Sequence, residues 1–150
     1  SMISAVSPGR LESLALQTCL NDHKAYPARC YDIPYYTCMG AQMDLAPNPS
    51  VATERCLFQE IFVWRALLDA TCAELSDFLT DKQPLPENIC EANIASHWSY
   101  LTSLIQQPRY DVGFSDVSLR QTAEAIRSEA VQLRSILAAL TVEQRQKRDE

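Results

Sequence analysis

The chain has 150 residues, a net charge of −6, six cysteines and only three glycines. That length is the size of one domain and is enough to bury a core. The acidic balance argues against nucleic acid, whose binding needs a basic face, and no apolar run approaches the ~18 residues of a membrane span.

Ser1-Met2 reads as an expression remnant, and residues 1–6 are expected to be disordered. Ser7 as cap and Pro8 in the first turn begin a helix. Leu11, Leu14, Leu16, Cys19 and Leu20 carry it to about Asp22. AYPARCYDIPYY then breaks the chain at Pro27 and Pro34. A short helix from Tyr35 to Met43 follows, since proline suits a first turn. MDLAPNPS is a loop.

From Ser50 to Thr80 there is no proline or glycine, and the stretch reads as one helix. Leu57, Ile61, Trp64, Leu68, Cys72, Leu75 and Leu79 recur at steps of three and four and line one face. Ser50 or Thr53 caps its start, with Glu54 favoured in the first turn by the dipole. DKQPLPEN turns the chain into a helix from about Glu87 to Gln106, facing inward with Ile89 or Cys90, Ile94, Trp98, Leu101 and Ile105.

QPRYDVGFSD is the next break, and Ser115 or Asp116 caps the last helix, from about Val117 to Gln144. Leu119, Ala123, Ile126, Ala130, Leu133, Leu137 and Leu140 make an a/d seam along it. The seam is expected to pack on the Leu57–Leu79 face within one chain. A twin helix in a homodimer is the other way to bury it, but Ala123 and Ala130 weaken a two-stranded coil. Residues 145–150 form a frayed tail. The fold class is thus all-α: a single domain over residues 1–150, a disulfide-stapled array of about five helices in antiparallel hairpins. The hairpins turn around residues 44–50 and 81–86.

Six cysteines with no C-x-x-C point to an oxidising compartment. Six allow fifteen pairings, and sequence alone does not choose among them. Residues about equally far from a helical turn come close together. Cys72 and Cys90 centre on position 81. Cys38 and Cys56 flank the loop through Pro47 and Pro49, and Cys19 and Cys30 close the loop through Pro27. Cys56 and Cys72 sit roughly 24 Å apart on one helix and cannot bond to each other.

The usual parts of an enzyme are missing, and no cofactor is expected. His23 and His97 are the only histidines; Cys19 and His23 could share a helix face, but two ligands do not make a metal site. There is no nucleophile elbow, Walker loop or dinucleotide turn. Glu60 and Asp69 lie roughly 13 Å apart along their helix, wide for a catalytic carboxylate pair. No cysteine has the clustered basic neighbours of a redox thiol.

The run QTCLNDHKAYPARC, then Cys38, then ERCLFQEIFVWRALLD resembles the LprI-like lysozyme-inhibitor family of small bacterial envelope proteins. The match covers about residues 16–79. In that pattern a cysteine is followed on one helix by Glu, Trp, Leu-Leu-Asn and Tyr. Cys56, Glu60, Trp64, Leu67 and Leu68 stand in those places, while Asp69 replaces the Asn and Cys72 the Tyr. Trp98 and Tyr100 echo a later Trp-x-x-Tyr-Arg element without its Arg. The resemblance implies a periplasmic or lipid-anchored helical protein, in some members an inhibitor of lysozyme. A core Trp with a surface Glu is the plainer account of Trp64 and Glu60.

Two functions follow as expectations. The first is a secreted or periplasmic binding protein, its signal peptide removed, that blocks a cell-wall hydrolase by protein–protein contact. Its partner would be a basic muramidase, or a toxin met as an immunity protein meets one. Arg109, Tyr110 and Phe114, in the break from Gln107 to Asp116, are the candidate contact residues; the two aromatics could instead fold back onto the core. The alternative is an envelope structural or assembly protein that self-associates through the seam helix.

Overall fold

A computed structural model describes residues 10–42, 49–79 and 112–148 of the chain. Every regular element among them is helical. Helix α1 spans Arg10–Asp22, a 3-10 turn Pro27–Cys30, α2 Ile33–Gln42, α3 Pro49–Leu79 and α4 Val112–Arg148. The helix expected at 87–106 lies outside the described residues, as does the turn at 81–86; of the turn expected at 44–50, Pro49 and Ser50 already belong to α3 and the rest lies outside the described residues.

The path from α1 to α2 is a run of tight turns. The His23 N–H donates to the Cys19 carbonyl at 2.9 Å and closes α1, and the Tyr26 N–H donates to His23 at 3.0 Å. Tyr26, before proline, takes an extended φ of −136°, as the Pro27 ring requires of its predecessor. Pro27 opens the 3-10 turn, where its missing N–H costs nothing. Arg29 and Tyr31 then donate to Tyr26 and Ala28, and the Tyr36 N–H to Asp32 starts the ladder of α2. Pro34 is accommodated in that first turn, so α2 begins at Ile33, two residues before the expected Tyr35.

Helix α3 is the centre of the fold and packs most extensively against α4, then against α2. Its buried residues include Leu57, Ile61, Trp64, Leu68, Cys72 and Leu75 of the expected face. Gln59, Glu60, Val63, Leu67 and Thr71 are buried as well. Together these positions cover an arc of roughly 220° at 100° per residue, far wider than a one-sided stripe. Thr71 satisfies its buried hydroxyl by donating to the Leu67 carbonyl at 2.7 Å. On α4, Leu119, Ala123, Ile126, Ala130 and Leu133 are buried, and Leu137 and Leu140 pack against the same core. The seam is buried within one chain. Leu16 and Leu20 of α1 complete the cluster.

Two expectations about α4 need correction. Its helix starts at Val112, so the backbone of Val112–Asp116 is helical and not part of a loop. No proline follows Pro108, and Gly113 falls in the first turn, where the helical hydrogen bonds it could weaken are not yet made. The helix also continues to Arg148, past the residue 144 at which it was expected to fray.

Cys19 is bonded to Cys30, with Cα atoms 5.7 Å apart, and Cys38 to Cys56, at 5.4 Å. The first ties α1 to the 3-10 turn and the second ties α2 to the start of α3. Cys72 is also half of a disulfide; its expected partner Cys90 lies outside the described residues. Among the described residues no helix is long and apolar enough to cross a membrane.

Candidate functional site

The wide burial of α3 places a carboxyl group in the interior. Glu60 is only 5% exposed, because α2 and α4 both pack on the helix that carries it. Its Oε1 atom has no hydrogen-bond partner. Trp64 lies one turn further on, fully buried, and its Nε1 donor is likewise without a partner. Buried polar atoms in native interiors are rarely left so.

Aromatic rings and two arginines enclose this pair. The ring of Tyr31, just before α2, meets Trp64 edge-on, with centroids 6.2 Å apart and planes at 82°. Arg127 of α4 stacks on Tyr31, its Cζ 4.1 Å from the ring centroid. One turn along α2, Arg120 lies 5.5 Å over the ring of Tyr35. Arg120 and Arg127 are seven residues apart, two turns of one helix face. Tyr31 and Tyr35 are four apart, so the two stacks form consecutive rungs. Each is worth ~0.5–2 kcal/mol depending on how far it is desolvated.

The Glu60 pKa is raised from 4.5 to about 7. Burial, which disfavours the charged carboxylate, is the main cause, and the negative charge of Asp32 adds to it. Arg127 and Arg120 act in the opposite direction, as does the Trp64 indole, which leans toward the carboxyl short of good hydrogen-bond geometry. The cations are close enough to be felt, but they rest on tyrosine faces and do not form an ion pair with Glu60. The chemistry open to such a group is uptake and release of a proton near neutrality.

A separate cleft of about 660 Å³ runs between α1, α3 and α4. Its lining combines apolar Leu20, Leu67, Val131 and Leu137 with charged Lys24, Glu74 and Arg134. Glu60 takes no part in its lining.

Of the family-motif positions, Glu60, Trp64 and Leu68 are buried together, which corrects the plainer account of Glu60 as a surface residue. Asp69 is exposed and forms a long ion pair with Arg65, 3.9 Å, one turn back on the same helix. Glu60 and Asp69 thus have opposite environments. The Cys19 sulfur is committed to Cys30, so it is no metal ligand for His23. Among the described residues no group of three or more His, Cys, Asp or Glu is placed to hold a metal ion. Arg109 and Tyr110 lie outside the described residues; Phe114 is in the first turn of α4, with its side chain outside them.

The Glu60 cluster was missed by sequence reasoning because its partners are far apart in the chain. Its own helix carried no clear signal: at 100° per residue Glu60 lies about 40° beyond the Trp64 edge of the expected stripe. No family model matches the chain, and neither does a curated protein or a solved structure.

Proposed function

We propose that this protein is a secreted or periplasmic binding protein that blocks a basic cell-wall hydrolase by protein–protein contact. The observation that carries the reading is covalent: α1 is tied to the 3-10 turn and α2 to α3 by buried or half-buried disulfides. Such bridges persist in oxidising compartments. They also hold a helical surface in one shape, which reduces the ordering cost of binding a partner. The charge of −6 complements a basic muramidase and would speed encounter at low salt. The resemblance of Cys56, Glu60, Trp64, Leu67 and Leu68 to the LprI-like pattern supplies the substrate class.

On this reading the whole chain is a five-helix array of antiparallel hairpins, with a third bridge, Cys72–Cys90, pinning the segment after α3. Arg109, Tyr110 and Phe114 remain the proposed contact residues. Packing of Leu119 to Leu133 in the core of the same chain favours this reading over envelope self-association through the seam helix.

Inhibition of peptidoglycan hydrolysis by a panel of basic muramidases tests the proposal, alongside a low-salt pull-down of the same enzymes. Saturable inhibition of one of them, weakening as salt rises, is the expected result. Full hydrolysis with the protein in excess, and no capture at low salt, overturns it.

A further inference from the structure

The enclosure of Glu60 joins three elements through groups that compete for one another. On α3, the carboxyl has an unpaired oxygen beside an unpaired indole N–H. From the turn before α2 come Tyr31 and Asp32; α2 itself adds Tyr35. From α4 come Arg120 and Arg127. These are the charged and titratable groups that act on Glu60 or bracket it. An arginine on a tyrosine face keeps its donors available, and a buried carboxylate is a stronger acceptor than a ring.

We propose that Glu60 is a proton-operated latch on the clasp between α2 and α4. With the carboxyl neutral, Arg127 and Arg120 lie on Tyr31 and Tyr35 and hold α2 to α4 across α3. When the proton leaves, the buried charge draws the Arg127 guanidinium off Tyr31 into an ion pair, and that rung opens. The balance is simple: one proton passes to solvent, one charge-assisted pair forms and one cation–π contact is lost. Motion is confined to the start of α2, because Cys38–Cys56 anchors the rest of that helix to α3. The raised Glu60 pKa puts the change near neutrality.

Carbon-13 NMR of the glutamate side-chain carboxyls, titrated from acid to alkaline pH, tests this on the intact oxidised protein. The Glu60→Gln spectrum identifies the Glu60 signal, and Tyr31→Phe the Tyr31 ring signals. The expected result is a Glu60 midpoint near 7, with the Tyr31 ring shifts following the same curve and flat in Glu60→Gln. Asp32→Asn removes a repelling charge and should lower the midpoint. Arg127→Gln removes an attracting one and should raise it, each by about half a pH unit or more. These two variants keep the test decisive if Glu60→Gln does not fold. Titration in the ordinary carboxylate range, Tyr31 shifts that ignore Glu60, or equal midpoints in the two charge variants each overturn the proposal.

Discussion

Arg127 and Tyr31 stand 96 positions apart in sequence, yet the guanidinium carbon of one lies 4.1 Å from the ring centroid of the other. The contact bridges α4 and the turn before α2 across the face of α3. Arg127 is also one of the two cations felt by Glu60, a buried carboxyl whose ionisation the fold opposes.

Stability should fall as pH rises from about 4.5 to about 7. The folded pKa of Glu60, about 7, lies above the 4.5 of the unfolded chain, so the folded state binds the proton more tightly. The contribution is fully present below the unfolded pKa, declines as pH rises and is gone above the folded pKa. It amounts to about 3 kcal/mol at most. Urea unfolding near the two ends of this window measures it. Glu60→Gln should lack this component; a variant with the parent's pH slope would assign the effect to another group.

Ile126→Asp should unfold the protein and not release a folded monomer from a dimer. Ile126 is 1% exposed in the seam, and an unpaired charge there should cost about 3–5 kcal/mol. Ile136, ten residues on along α4, is 43% exposed, and Ile136→Ala should stay within about 0.5–1 kcal/mol of the parent. Thermal melts with sedimentation of both variants check the pair; a well-folded Ile126→Asp monomer from a dimeric parent contradicts the placement of the seam.

Replacing Cys38 and Cys56 together by Ala should cost about 3 kcal/mol, within the usual range for a bridge of this span. The Cys19–Cys30 bridge closes the shorter loop, with a sequence separation of 11 against 18. Chain entropy makes the longer loop worth roughly 0.4 kcal/mol more. Guanidinium unfolding of the two double variants ranks them, and a clear reversal of the order would show that lost packing at Cys30 outweighs loop entropy.

Gly40→Ala should stabilise the protein. Gly40 is exposed in the last turn of α2, its φ is not positive, and an added Cβ meets nothing within 4 Å. The gain comes from restricting the unfolded chain and should be about 0.5 kcal/mol, the low end for an interior helix position. A measured loss of stability by denaturant titration would refute it.

Local signals were the legible ones. The uninterrupted run from Ser50 to Thr80 gave the limits of α3 to within a residue, because no proline or glycine competes inside it. The observed bridge Cys38–Cys56 followed from its position astride the loop through Pro47 and Pro49, and Cys19–Cys30 from closing the loop through Pro27. The start of α4 was misread because Gly113 and the preceding proline look like loop chemistry, while the helix ladder tolerates glycine in a first turn. Glu60 could not be placed inside from its own helix. Its burial depends on α2 and α4 covering both flanks of α3, and only the tertiary arrangement brings Tyr31, Tyr35, Arg120 and Arg127 around it.

The cysteines are distributed unevenly: α4 contains none, while one bridge ties α1 to the 3-10 turn and another ties α2 to α3. Under a pull applied through its two ends, the oxidised protein would therefore yield asymmetrically. Helix α4 carries no disulfide and would peel away first. The segment between Cys19 and Cys56 could lengthen only where no bridge spans it, since the two closed loops withhold roughly 100 Å of contour from the force. A reductant would restore that length, so the extension of a tethered molecule would report its redox state.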